Sequence, residues 1–237
     1  MLYDIFVGAH VNKLITKLLE GVMNWKRLFL IGCAFLTAYF ANAQKDWDLR
    51  LDKEGIKVYT KKLDSSPFKA VKTVCTINTS LSVLTAVLLD IKSTPDWVYA
   101  TKKISLLKQI SAAELVYYSE IEVPWPVADR DFIVQLIVTQ DPKTKVVTVL
   151  GDNKPTYLPE NKSVVRIQHS YSKWLVTPVT NNQVKIEYLL EVDPGGSVPA
   201  WLINMFATKG PFETFKKLLE QVKKPAYKNV SLPFIKD

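Results

Sequence analysis

A chain of 237 residues suits one domain with or without a targeting segment, and 48% apolar residues supply material for a buried core. Lysine and arginine outnumber aspartate and glutamate by 31 to 23, a net charge of +8. The lysines are scattered, with no Arg-rich block, which disfavours nucleic acid and leaves an anionic membrane surface as the better macromolecular contact.

Residues 23–43 read as a targeting sequence. Met23-Asn24-Trp25-Lys26-Arg27 is a basic stretch, Leu28 to Phe40 is uncharged and apolar, and Ala41-Asn42-Ala43-Gln44 offers a small-x-small cleavage site. The apolar run is shorter than the roughly 20 residues a membrane-spanning helix needs, so cleavage after Ala43 and export to the periplasm or medium is the expectation. An uncleaved anchor, or lipidation of Cys33 within Leu30-Ile31-Gly32-Cys33, is the alternative. Residues 1–22 lie upstream of a complete signal sequence and read as an extension ahead of a start at Met23. Removing residues 1–43 takes away four basic and two acidic side chains, leaving a net charge of +6, and leaves Cys75 as the one cysteine, so no intramolecular disulfide is possible. The mature chain must then be held by burial, and a domain of this size buries roughly 70% of its unfolded surface.

Residues 44–224 show no internal repeat and no flexible linker. Period-two alternation marks strands over Ile56 to Lys61, Phe68 to Asn78, Leu115 to Val123, Phe132 to Gln140, Val146 to Leu150, Val164 to Tyr171 and Val184 to Val192. In the last of these Val184, Ile186, Tyr188, Leu190 and Val192 share a face opposite Lys185, Glu187 and Glu191, so the sheet has one dry side. Asp141-Pro142 and Gly151-Asp152-Asn153 read as turns.

Two helices interrupt the strands. The first runs from Leu81 to about Ile91 behind the N-cap candidate Ser80. The second spans Val198 to Lys223, with Trp201, Met205, Phe212, Phe215, Leu219 and Val222 as its apolar stripe. Pro211 follows Gly210 inside that stripe and cannot donate to the Ala207 carbonyl, which predicts a kink or break. The Pro-bearing tail, residues 225–237, is expected to be loose. The fold class is therefore α+β: a mainly antiparallel sheet with a long C-terminal helix closing on its dry face, the space between being either filled or hollow.

Several stretches resemble the START (steroidogenic acute regulatory protein-related lipid transfer) domain family. They are Trp47 with Gly55-Ile56-Lys57-Val58-Tyr59, Asp96-Trp97, Val123-Pro124-Trp125-Pro126-Val127, Asp129-Arg130-Asp131-Phe132, Asp193-Pro194-Gly195-Gly196, and Pro199-Ala200-Trp201-Leu202 with Asn204. The resemblance implies a helix-grip fold, a curved antiparallel sheet wrapped around the C-terminal helix and enclosing a hydrophobic cavity for a lipid or other apolar molecule. It also implies that the Pro-Trp-Pro loop and the C-terminal helix gate the mouth. Pro124 and Pro126 agree with this, because proline disrupts strand pairing and the chain must loop out there.

The expected ligand contacts follow. By alternation Tyr117 and Ser119 point inward, as do Phe132, Val134 and Leu136; Tyr188 sits on the dry face of the last strand. His169 shares a side with Val165, Ile167 and Tyr171 and so is expected inside, bonding either a ligand head group or a neighbour. Asn204, Met205 and Phe212 are expected to face the ligand from the helix. Trp125 is read either as an exposed membrane-facing aromatic at the mouth or as an internal cap. Arg130, between Asp129 and Asp131, either forms a salt bridge at the loop's base or contacts a polar ligand group. The series Phe132, Val134, Leu136 and Val138 carries no charge, where some sterol-binding members of the family place a buried acid and arginine, so a fatty chain, polyisoprenoid or pigment fits as well as a sterol.

No cluster of metal-ligand spacing, Cys/His pair or Gly-rich phosphate loop is present in the sequence, so no metal, cofactor or catalytic residue is expected. The enzymatic alternative is a polyketide cyclase or aromatase of the helix-grip type, acting by orienting a hydrophobic substrate, with His169 beside Arg130 as its candidate group.

Overall fold

The computed structural model describes residues 47–63 and 66–237; the upstream extension and the proposed signal sequence lie outside the described residues. Ten strands form one sheet in the order β1-β2-β3-β10-β9-β7-β6-β5-β4. They are β1 (Asp48–Lys53), β2 (Ile56–Leu63), β3 (Ser66–Ile77), β4 (Thr101–Ser111), β5 (Glu114–Ile121), β6 (Arg130–Gln140), β7 (Val147–Asn153), β8 (Val165–Arg166), β9 (His169–Thr180) and β10 (Gln183–Asp193). All pairings along this order are antiparallel, while the two-residue β8 lies parallel to β6. The β1–β2 hairpin turns on Glu54 and Gly55, both at positive φ (54° and 76°), the geometry in which a two-residue turn matches the twist of its strands.

Helix α1 (Leu81–Leu89) starts as the sequence predicts, the Ser80 hydroxyl accepting the Val83 N–H at 3.2 Å. A short helix, α2 (Thr94–Trp97), leads into β4. The C-terminal helix is α3 (Ala200–Asn204), a π turn over Met205–Lys209, and α4 (Gly210–Gln221). Helicity therefore continues through Gly210-Pro211, and the distortion takes the form of a wide turn in which the Gly210 N–H reaches back to the Met205 carbonyl. One face of the sheet is closed by α1 and α4: Leu81, Leu84, Val87, Phe215 and Leu218 pack with Ile56, Val58, Val147, Val149, Val176 and Ile186 into a continuous apolar core. This is the helix-grip arrangement.

Four features differ from the sequence expectation. Strand β4 gives no alternation because its pairing with β5 shifts at three bulges, and each bulge reverses which residues face inward. Strand β1 is an exposed edge. Gly151-Asp152-Asn153 is not a turn but the end of β7. The C-terminal tail is docked instead of loose. Tyr227 and Ile235 are buried. Lys236 exchanges hydrogen bonds with the Gln140 side chain, and Asp237 Oδ1 accepts the Ser82 N–H at the start of α1.

Candidate ligand cavity

Between the sheet and the C-terminal helix lies a cavity of about 320 Å³. Strand registry orders its walls. Val149, Trp174 and Tyr188 occupy one rung; Leu136, Gly151, Ser172 and Leu190 the next; Ser170 and Val192 follow on β9 and β10, with Tyr117 and Val134 on β5 and β6. Ser119 and Phe132, then Ile121 and Arg130, finish the series next to the Pro-bearing loop.

The inner end is aromatic. Trp174 stacks on Phe215 with ring centroids 5.3 Å apart, lies 4.3 Å from Tyr188 and meets the edge of Trp97 at 6.3 Å. Burial pushes the Tyr117 phenol up to about 12 and raises Tyr188 further, so both stay neutral hydroxyls. Trp97 Nε1 and Thr101 Oγ1 are buried without a hydrogen-bond partner, and both residues line the cavity. Gly151 is what opens the middle rung: a Cβ there would lie 2.3 Å from Ser172 Oγ.

The other end is polar. Arg130, 4% exposed, lines the cavity. Its guanidinium donates to the carbonyls of Ala128, Pro194 (3.2 Å) and Gly195 (3.2 Å), tying the loop before β6 to the loop after β10. The salt bridge expected at this position is made by its neighbours, because successive strand residues point to opposite faces. Asp131 holds Arg166 in a buried, two-pronged pair (Nε to Oδ1 2.7 Å, Nη2 to Oδ2 3.0 Å). Asp129 accepts from Lys102 Nζ (2.6 Å) and the Val123 N–H (2.8 Å), and these bonds hold its carboxyl below the usual range. Burial pulls the Arg130 guanidinium down from its ordinary value, opposed by the smaller influence of Asp129.

Of the expected contacts, Tyr117, Ser119, Arg130, Phe132, Val134, Leu136 and Tyr188 line the cavity. Five are corrected. His169 is exposed, as is Tyr171. The segment Val164 to Tyr171 is not one strand: β8 ends at Arg166, and the chain is then held at Ile167 by its N–H to the Asp131 carbonyl and by Asn153 Nδ2 on its own carbonyl. Inward facing resumes out of phase, on Ser170, Ser172 and Trp174. Reading alternation backwards from Trp174 and Val176 gives the correct face.

On the helix, Asn204 is exposed, Met205 only partly buried, and neither lines the cavity. Phe212 is buried against the hairpin side, with Lys53 Nζ 5.7 Å from its ring centre. The lining side is instead Leu202, Phe206, Gly210 and Thr214 with Ile203, Ala207, Pro211 and Phe215, a spacing of four that the π turn accommodates and a regular 3.6-residue repeat does not predict. Trp125 is 90% exposed and contributes nothing to the wall, so the exposed reading of this residue holds and its internal one does not. Among the described lining residues there is no Asp, Glu, His or Cys; the charged ones are Arg130 and Lys69. Among the described residues no group of three or more His, Cys, Asp or Glu side chains is placed to hold a metal ion.

The comparisons agree with this architecture. A family model described as START domain matches residues 36–228. An uncharacterised protein of Pseudomonas aeruginosa is 33% identical over 180 residues, covering 76% of this chain and 88% of that protein. The phosphatidylcholine transfer protein of Bos taurus is 25% identical over 169 residues, 69% of this chain and 78% of its own length. The crystal structure of a fragment of a STAR-related lipid transfer protein from Xanthomonas axonopodis superposes with a TM-score of 0.70 at 29% identity, covering 76% of this chain and all of that one. On the family match, the chain belongs to the START domain family.

Proposed function

We propose that this protein binds one lipid or similarly apolar molecule in its cavity and carries it without chemical change, the Pro-Trp-Pro loop and the C-terminal helix parting to admit it. The observation that carries the reading is the cavity itself: about 320 Å³ of space walled by aliphatic and aromatic side chains with hydroxyls interspersed. The lipid transfer named for the bovine and Xanthomonas relatives supports it. The cyclase alternative loses its candidate group, because His169 points away from the cavity.

Contact with an anionic membrane is part of the proposal. Trp125 (90% exposed) and Trp201 (50%) offer two aromatic anchors near the loop and the start of the helix. Of the helix lysines, Lys216, Lys223 and Lys224 are already paired with Glu54, Glu220 and Asp96. Lys209 and Lys217 are in no ion pair among the described residues, and they carry the expected attraction. Export rests on the sequence of residues 23–43, and a mature N-terminus at Gln44 is the corresponding product.

The test is organic extraction of the purified protein with mass spectrometry of the extract, followed by uptake from vesicles containing phosphatidylglycerol. One apolar compound class approaching one molecule per chain, with uptake weakened by Trp125→Ala at unchanged thermal stability, is the expected result. An extract without apolar compounds and no uptake from any vesicle would refute the proposal.

A further inference from the structure

Resting on the lipid-binding reading, the geometry points to a ligand class: we infer that the cavity takes an amphiphile with an anionic head, a carboxylate or phosphate monoester, seated at Arg130 and Lys69. The cavity has cations but no counter-charge. Arg130 and Lys69 both line it, whereas no acidic side chain does among the described residues.

The three carboxylates nearest Arg130 in the chain and at its hydrogen-bonded loop are committed elsewhere. Asp129 takes Lys102 and the Val123 N–H, Asp131 takes Arg166, and Asp193 Oδ1 accepts the Gly195 N–H at 2.9 Å. A guanidinium has five N–H donors. Three bonds run from Arg130 to backbone carbonyls, which are neutral and leave its charge uncancelled, so two donors remain. A nearly buried cation whose counterweight is Asp129, itself bonded to Lys102, is costly unless something supplies a closer anion. A ligand head group at this end of the cavity does so.

Registry places the second cation at the same end. Val71 pairs with Leu190, so Lys69, two residues nearer the start of β3, lies on the side of Val192 and Pro194, the residue whose carbonyl Arg130 holds. Lys69 forms no ion pair among the described residues. Ser170, opposite Val192, adds a hydroxyl on the same stretch of wall. Opposite this polar end stands the aromatic floor of Trp174, Tyr188 and Phe215.

The experiment uses the purified full chain, stripped of lipid, with dansyl-undecanoic acid and its methyl ester as fluorescent probes. The acid should bind about tenfold more tightly than the ester, the size of effect expected from a charge-assisted hydrogen bond. Arg130→Gln should bring that ratio close to one, Arg130→Lys should restore part of it, and Lys69→Gln should lower it. Because Arg130 also ties two loops, the wild-type ratio and Lys69→Gln, which breaks no hydrogen bond, decide the matter if the arginine variants fail to fold.

Displacement of the probe by oleate or by lysophosphatidic acid supports the inference and tells carboxylate from phosphate. Displacement by lysophosphatidylcholine and monoolein but by neither anion overturns it, as does equal affinity for acid and ester. Failure of both probes to bind defeats the lipid-binding reading as well.

Discussion

Arg166→Met should be among the most damaging single substitutions away from the hydrophobic core. In the native state both side chains of the Arg166–Asp131 pair are essentially dry (2% and 0% exposed), and the guanidinium also donates to the carbonyls of Pro155 (2.6 Å), Leu158 (3.1 Å) and Pro159 (3.3 Å). The variant strands the Asp131 carboxylate without a counterion, a change that costs about 3–5 kcal/mol. For a domain of 150–250 residues each kcal/mol shifts the midpoint by roughly 2–4 °C, so the melting temperature should fall by about 6–20 °C. Adding Asp131→Leu removes the stranded charge and should restore part of the loss. The three carbonyls keep the recovery incomplete, each having lost its donor. Circular-dichroism melts of wild type, both single variants and the double variant form the cycle. A drop of under about 2 °C for Arg166→Met, or a double variant as unstable as the two losses added together, refutes the assignment of this pair as the clamp holding β8 against β6.

Other outcomes follow from the same contacts. Gly151→Val should abolish ligand uptake more than it harms folding, since its Cβ would press on Ser172 Oγ at 2.3 Å and Val134 Cγ1 at 3.2 Å from inside the cavity; unchanged ligand stoichiometry in the extract counts against the site. The Asp129 carboxyl is held below its ordinary value by Lys102 and Val123, so its contribution is present above the unfolded value near 4 and is lost as pH falls through the folded one. Asp129→Asn should thus be less stable than wild type in urea at pH 7, with the gap closing under acid conditions; a gap independent of pH contradicts it. Tyr227→Phe should cost about 1–3 kcal/mol, because the hydroxyl donates to Asp90 at 2.7 Å and accepts from the buried Gln221 amide at 3.1 Å. A urea midpoint equal to that of wild type would show that this hydroxyl network adds nothing.

Strands with a dry face against a wet one could be read from their residues: β2, β3, β5, β6 and β10 lie where alternation puts them, and the cavity faces of β5, β6 and β10 came with them. What alternation cannot register is a change of phase. The bulges of β4, the break at Ile167 and the π turn at Met205 each insert or remove a residue from the repeat without altering composition. His169, Met205 and Phe212 were misplaced for that one reason, and Ser170, Ser172 and Phe206 were overlooked for the same one; Asn204 came with the resemblance, and it is exposed on the regular turn before the π segment. Gly151 escaped notice differently: beside Asp152 and Asn153 a glycine signals a turn, and only the close approach of Ser172 shows it to be a hole in the wall.

The Asp-Arg-Asp triplet shows how a local pattern can serve two jobs without conflict. Consecutive residues entering a strand point to opposite sides, so a run of charges that looks self-neutralising in sequence is separated by the pleat. Asp131 faces away from the cavity and accepts from Arg166, whose guanidinium in turn clamps the Pro155, Leu158 and Pro159 carbonyls, and Asp129 turns to Lys102 at the loop's base. Arg130 alone faces the cavity. Its acids stabilise the wall around it while leaving its charge for whatever enters, and a buried cation so arranged is structural to the two loops it ties and unfinished toward the ligand.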